Sequence, residues 1–178
     1  LACTLNATKV TDMIASTLGV DHGGLAELAL DAEPGSSGAT VVPYFDGERT
    51  PNVPNATGMI TGLRPGTSRA DLARAAHEGV LCNLLAAADA LAAVGVAGDG
   101  ELRLVGGGAK SAAFQQILAD LHQGPVRIPA DDEAPATGAA PQVLPRMHGS
   151  GHTQCLRTVR SAPRRTVRAV DLGLLVAL

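Results

Sequence analysis

The chain has 178 residues, which suffices for one full domain but not for two large ones. Aromatic residues make up 2% of it and its formal net charge is −3, which argues against a nucleic-acid surface built on base stacking. No apolar run reaches the roughly 18 residues that cross a bilayer, and no signal-peptide pattern opens the chain, so we expect a soluble, cytoplasmic protein without a membrane partner.

Hydrophobic periodicity and turn residues divide the first part of the chain into short elements. Apolar residues recur at helical intervals before Gly19, which has the position of a C-cap glycine. The predicted elements are a helix at 6–18, a helix at 25–30, a strand at 39–42, the polar loop PYFDGERTPNVPNATG at 43–58 and a strand at 59–63.

The second part opens with the longest helix. Ser68 followed by Asp71 matches a capping box, and a stripe of apolar residues continues from Leu72 to Leu91. The elements predicted after it are a strand at 102–105, a helix at 111–121, a strand at 126–128 and the start of a helix at 134–140. Strands alternating with helices predict an α/β fold with a mostly parallel sheet.

Three consecutive glycines, Gly106, Gly107 and Gly108, lie between a predicted strand and a predicted helix. Open α/β sheets bind ligands at this kind of position. Three interpretations remain open from the pattern alone: a tight turn without a ligand, a dinucleotide fingerprint with Ser111 in place of its third glycine, and a bare surface for the base and ribose of ATP. A P-loop is excluded because G-x-x-x-x-G-K-[ST] is absent.

The composition changes after Ala140. Residues 1–140 contain 8 Lys and Arg against 16 Asp and Glu, whereas residues 141–178 contain 6 Arg and one acid. The second segment has three prolines and no sustained apolar period, which predicts an irregular, basic tail. It is either a shifted reading frame, which we favour, or a functional arm for an anionic partner.

Four segments occur in the order and spacing of the C-terminal domain of FGGY carbohydrate kinases, and the sequence most resembles the xylulokinase members. They are PYFDGERTPNVP at 43–54, GMITGL at 58–63, LVGGGAKS at 104–111 and APATGAA at 134–140. The family signature is met at Gly58, Ile60, Gly62, Leu63, Asp71, Leu72, Ala75, Ala76 and Glu78. His77 departs from it, and we interpret His77 as a structural histidine. We expect the resemblance to stop near Ala140.

The resemblance implies an incomplete actin-like ATPase (ribonuclease H-like) C-terminal domain at 1–140, followed by the tail at 141–178. It implies transfer of the γ-phosphoryl group of ATP to a sugar, either D-xylulose, which we favour, or a related ketose or polyol, with Mg²⁺ offsetting phosphate charge. The sugar-binding domain, the catalytic base and the Mg²⁺ ligands are expected upstream of Leu1, so we assign no catalytic residue, and the isolated chain should be inactive. A homodimer is possible for the full-length kinase.

The nucleotide side of the site is expected within this chain. The resemblance places the cofactor-binding turn at Gly106, Gly107, Gly108 and Ala109. It also places the start of the first helix beside the adenine, which makes Asn6 and Val10 weaker candidates, although Val10 has the spacing of a core residue. Two other functions stay open: a non-enzymatic nucleotide- or anion-binding module and, as a more distant alternative, a dinucleotide-binding oxidoreductase domain.

The remaining polar side chains favour no catalytic or metal site. Asp46 and Glu48 are acids in the long loop, and we expect them to be exposed, to shape the cleft or to pair with Arg49. The three cysteines form no C-x-x-C pair, which is typical of reduced thiols in a cytosolic protein. We therefore assign no metal ligand.

Overall fold

The structure is a computed structural model, and it describes residues 3–95, 102–129 and 164–167. Five strands and four α-helices occur in these ranges. In chain order they are α1 (Thr8–Leu18), α2 (His22–Asp31), β1 (Thr40–Val42), β2 (Met59–Thr61), α3 (Arg69–Ala93), β3 (Leu102–Arg103), α4 (Ala112–His122), β4 (Val126–Pro129) and β5 (Arg164–Val167). The helices and strands predicted within 3–129 are confirmed, with boundaries that differ by a few residues.

The first two helices have the end signals that their sequences predict. Gly19 ends α1 in the left-handed conformation (φ +66°), and its N–H bonds the carbonyl groups of Ala15 and Ser16. Asp21 caps α2, because its side chain accepts a hydrogen bond from the Gly24 N–H at 2.8 Å. These caps satisfy backbone groups that the helices cannot pair internally.

Helix α3 is the centre of the described structure. Its capping box forms as predicted: the Ser68 hydroxyl accepts from the Asp71 N–H, and the Asp71 carboxylate accepts from the Ser68 N–H at 2.8 Å. The buried residues lie mainly in its first half, which packs against α1, α2, α4 and β1. The core around it contains Val10, Ile14, Leu25, Val41, Val80, Leu81, Phe114, Ile117 and Val126.

The strands form two separate sheets. Strand β1 pairs with β2 in antiparallel register, Val41 opposite Ile60, and the second sheet has the order β3-β4-β5. Strand β4 is parallel to β3 but antiparallel to β5. The prediction of a mostly parallel sheet is therefore wrong for the described strands. A loop without a helix joins β1 to β2 and lets the chain return directly alongside, whereas a parallel pair needs a crossover.

Helix α3 approaches β1 closely enough to require a glycine. A Cβ atom at Gly79 would overlap the carbonyl oxygen of Val41, which is a backbone atom and cannot swing aside. Gly79 directly follows Glu78, the last residue of the family signature, and its missing side chain sets the distance between the helix and the sheet.

A buried ion-pair network joins α2, α3 and α4. Arg74 is 4% exposed, and its Nε atom lies 2.7 Å from the Glu78 carboxylate. Its other guanidinium nitrogens reach the Ala32 carbonyl oxygen at 3.1 Å and Asp120 at 3.7 Å. Because the guanidinium is compensated on three sides, the core accepts its charge.

Strand β5 lies in the segment that the sequence predicts to be irregular, so four residues of that tail form a strand. The predicted helix at 134–140 and the proposed boundary at Ala140 lie outside the described residues. Within the described ranges no helix is both long and apolar enough to cross a membrane.

Candidate functional site

The glycine turn connects the second sheet to α4. Parallel pairing continues past β3, because the Leu104 N–H bonds the Arg127 carbonyl oxygen at 3.0 Å. Gly106 then adopts φ +92° and ψ −173°, a conformation that side chains other than glycine rarely adopt. A 3-10 turn, Gly107–Lys110, follows, and Ser111 caps α4 by accepting from the Phe114 N–H at 3.4 Å. The glycines therefore lie at the carboxyl end of a strand, as predicted.

Among the residues that the structure describes, the first two glycines of the turn border open space. A Cβ atom built at Gly106 or Gly107 would meet no atom of those residues within 4 Å, and one at Gly108 would touch the Phe114 ring, at 3.7 Å. The left-handed φ at position 106 requires glycine. At position 107 neither the backbone conformation nor the contacts of the described residues require it. Bare backbone beside open space suits a flat ligand that lies against the chain.

The turn is held from behind by α4. Ala109 is 8% exposed, and its carbonyl oxygen accepts a hydrogen bond from the Gln115 side chain at 2.7 Å. The Ala109 N–H bonds the Gly106 carbonyl oxygen at 3.1 Å. Ala109 therefore stabilises the turn through its backbone, with its side chain in the core.

Asn6 and Val10 lie away from the solvent. Val10 is 0% exposed and belongs to the core cluster, as the core interpretation of its helical spacing predicts. Asn6 is also 0% exposed, and its Nδ2 atom donates to the Gly47 carbonyl oxygen at 2.5 Å and to Glu48 Oε2 at 3.2 Å. Direct contact of either side chain with a nucleotide stays a prediction, and this burial does not favour it.

Glu48 differs most from the expectation. Its side chain was predicted to be exposed, but the residue is 1% exposed, because backbone and side-chain donors from three segments surround the carboxylate. The backbone N–H groups of Leu5 and Arg49 bond Oε1 at 2.7 and 2.8 Å. The Asn83 amide bonds Oε2 at 2.9 Å. Glu48 thus contacts Arg49 through the Arg49 backbone N–H. Asp46 is exposed, as expected, and forms an ion pair with Lys9 at 3.0 Å.

The donors around Glu48 set its ionisation. Burial raises the pKa of the carboxyl, but the N–H groups of Arg49, Leu5, Asn6 and Asn83 outweigh it and hold the pKa below its usual range. Glu48 is therefore ionised at neutral pH and is unsuited to act as a general base there.

We expect the free energy of unfolding to decrease as the pH is lowered, because the Glu48 carboxylate becomes protonated. Because the folded pKa is depressed, the contribution is complete above the ordinary glutamate pKa of about 4.3 and is lost as the pH falls below it. Thermal unfolding followed by circular dichroism between pH 3 and pH 7 measures this slope. Glu48→Gln should flatten it, whereas Asp46→Asn, in the exposed pair, should not; equal slopes for the Gln variant and the unsubstituted chain would contradict the assignment.

His77 is a structural residue, as interpreted from the sequence. Its Nδ1–H donates to the Ala73 carbonyl oxygen, 2.8 Å away, and its ring lies 4.7 Å from the Phe114 ring, tilted by 59°. Burial, helped by the charge of Arg74, lowers the pKa of His77. A neutral imidazole packed in the core needs no catalytic explanation.

The sequence alone did not reveal Asn83 as part of the site region. It lies in α3 beyond the family signature, 35 residues from its partner Glu48. The sequence signal for it is a polar amide, Asn83, among the apolar residues of the long helix. Within the described residues no group of three or more His, Cys, Asp or Glu side chains could hold a metal ion.

Comparison with known proteins assigns the chain. The FGGY family of carbohydrate kinases, C-terminal domain, matches residues 5–142. The chain belongs to this family. It is 37% identical over 171 residues to the xylulose kinase of Streptomyces coelicolor, covering 96% of this chain and 34% of that protein. It is also 38% identical over 126 residues to the glycerol kinase of Delftia acidovorans, covering 68% of this chain and 25% of that one.

The fold agrees with the family. The crystal structure of xylulose kinase from Bifidobacterium adolescentis superposes with a TM-score of 0.74 at 36% identity, covering 95% of this chain and 33% of that one. The predicted actin-like fold class is confirmed, and the chain spans about a third of the length of these xylulose kinases. The family match ends at residue 142, close to the expected end of the resemblance at Ala140, whereas the alignment with the Streptomyces coelicolor protein spans 171 residues and continues beyond it. The domain boundary itself stays a prediction.

Proposed function

We propose that this FGGY chain forms the nucleotide side of a kinase that phosphorylates D-xylulose with ATP. The observation that carries the proposal is the open backbone at Gly106 and Gly107, at a strand-to-helix turn in a chain of this family. The choice of D-xylulose is supported by the similarity to xylulose kinases over most of the chain.

In the proposed kinase this chain binds ATP and orients it. The turn backbone supports the adenosine, Ala109 and Gln115 hold the turn rigid, and Gly106 gives the chain its reversal. ATP supplies the transferred phosphoryl group, and Mg²⁺ offsets its charge. We place the Mg²⁺ ligands, the base and the sugar-contacting groups in the rest of a longer kinase, because the chain spans about a third of the length of its xylulose kinase relatives.

Isolated, the chain should lack sugar kinase activity and bind ATP weakly or not at all. Positioning the phosphate and the attacking hydroxyl is most of the catalytic work in phosphoryl transfer, and the groups proposed to do it are elsewhere. A coupled assay of ADP release by the purified chain, with and without D-xylulose, measures this. Sugar-dependent ADP release above the no-enzyme rate would contradict the proposal that the catalytic groups lie outside this chain.

A chimera tests the function itself. In it, this chain replaces the matching third of the Streptomyces coelicolor xylulose kinase, and we expect phosphorylation of D-xylulose to persist. Because the sugar-contacting groups are proposed to lie outside this chain, the Streptomyces part sets the sugar preference of the chimera, and the assay tests whether this chain supplies a working nucleotide side. A folded chimera that hydrolyses or transfers nothing, beside an active parent, would contradict the proposal.

The other two functions receive less support. The dinucleotide-binding alternative loses its basis, because the glycines lie in a kinase family and Ser111 serves as the N-cap of α4. A basic arm in the tail stays a prediction, since only residues 164–167 of the tail at 141–178 lie within the described ranges. Binding of an anionic partner through it should weaken steeply with salt.

A further inference from the structure

A buried cluster around Glu48 joins three separate segments of the chain. We call Glu48, Asn6 and Asn83 the carboxylate cluster. Asn6 lies two residues before α1, Glu48 lies in the loop between β1 and β2, and Asn83 lies in the middle of α3. All three are buried: Asn6 is 0% exposed, Glu48 is 1% exposed and Asn83 is 5% exposed.

Neutral donors alone hold the carboxylate. Two backbone N–H groups bond Oε1 and two side-chain amides bond Oε2, at 2.7 to 3.2 Å. Among residues 3–95 and 102–129, the ion pairs of the structure do not include Glu48. Charge-assisted hydrogen bonds in a dry site are strong and directional, so this arrangement fixes geometry.

We propose that Glu48 is a positioning residue of the kinase, which locks the loop at 43–58 onto the start of α1 and takes no part in proton transfer. This rests on the proposed function. The start of α1 is the segment expected beside the adenine, and Leu5 and Asn6 at that start both donate to Glu48. Asn6 therefore serves the nucleotide side indirectly, through the carboxylate.

The length of the side chain, rather than its charge, is what such a role requires. Glu48→Asp keeps the charge but withdraws the carboxylate by about 1.5 Å, which breaks contacts that are now 2.7 to 3.2 Å long. A general base or a purely electrostatic group would instead tolerate Asp better than Gln.

Glu48→Gln keeps the length and loses the charge. Its Oε1 atom can still accept from Leu5 and Arg49. The Oδ1 atom of Asn83 is buried and has no hydrogen-bond partner among the described residues, so that amide can rotate and accept from the new Nε2 group. Asn6 can keep its bond to the Gly47 carbonyl oxygen and lose only the 3.2 Å contact. The Gln variant should therefore preserve the loop.

Hydrogen exchange on the 178-residue chain is the first test, and it needs no activity. Mass spectrometry should follow peptides that cover 3–10 and 43–58, with a peptide from α4 as the internal reference. We expect the Glu48→Asp variant to exchange its amide hydrogens about tenfold faster in both peptides. The Glu48→Gln variant should change the exchange rate by less than about threefold. Asp46→Asn, in the exposed pair of the same loop, is the matched control and should leave exchange unchanged.

Kinetics of the chimera are the second test. The Asp variant should lose about tenfold to hundredfold in kcat/KM for ATP, while the Gln variant keeps most of it with an unchanged pH profile. Leu25→Ala, a core substitution in α2, controls for lost stability and should leave kcat/KM unchanged below its unfolding temperature. A Gln variant that loses activity while Asp retains it would overturn the proposal.

The two tests separate the proposals. If exchange behaves as expected but the unsubstituted chimera is inactive, the locking role stands and the kinase function fails. If Asp leaves exchange in the loop unchanged, the locking role fails whatever the kinetics show.

Discussion

Gly79→Ala should destabilise the described fold by about 2 kcal/mol or more. In an ordinary helix interior the same change stabilises by up to about 1 kcal/mol, because alanine is the better helix former. Here the added methyl group would overlap the backbone carbonyl of Val41, so α3 must move off β1 and open the core around Val80. Urea denaturation followed by circular dichroism gives the free energy of unfolding.

Gly66→Ala is the matched control for this change. Gly66 has no neighbouring atom within 4 Å of its Cβ position in the described part of the chain and no left-handed φ, so its substitution should leave the free energy of unfolding within about 0.5 kcal/mol or raise it. A Gly79→Ala variant as stable as the Gly66→Ala variant would show that helix and strand can separate at little cost.

Gly107→Val should weaken nucleotide binding by the chimera without unfolding it. The valine methyl groups would enter the open space beside the turn, where a nucleotide is proposed to lie, and no atom of residues 3–95 or 102–129 lies within 4 Å of the Cβ position. We expect the KM for ATP to rise at least about tenfold, equivalent to about 1.4 kcal/mol, with the KM for D-xylulose little changed.

The free energy of unfolding decides whether that loss is local. Gly107→Val should lie close to the unsubstituted protein, and Gly66→Val, remote from the turn, should preserve both stability and the KM for ATP. An unchanged KM for ATP in a folded Gly107→Val chimera would mean that the open space is not where the nucleotide binds.

Features set by neighbouring residues could be predicted from the sequence. The capping box of Ser68 and Asp71 and the C-cap at Gly19 depend on residues within one turn of helix, and both form as expected. The glycine turn also lies between a strand and a helix as predicted, because each flanking segment carries its own periodicity. The family assignment came from motifs of this local kind.

Features set by distant residues could not be predicted. Glu48 reads as an exposed loop acid because its buried surroundings come from Leu5, 43 residues before it, and Asn83, 35 residues after it. The antiparallel pairing of β1 and β2 depends on how the long loop folds back, which alternation of strands and helices does not reveal. Asn6 has the polarity of a ligand contact, but only the fold shows that it faces the core.

The position of α3 has a consequence for how the domain folds. Helices α1, α2 and α4 and strand β1 all bury their apolar faces against its first half. Within the described residues these elements share one core cluster, so losing the packing of one face of α3 weakens the packing of the other elements. We therefore expect these elements to unfold in one cooperative transition, with the closure of long loops onto α3 limiting the rate at which they assemble.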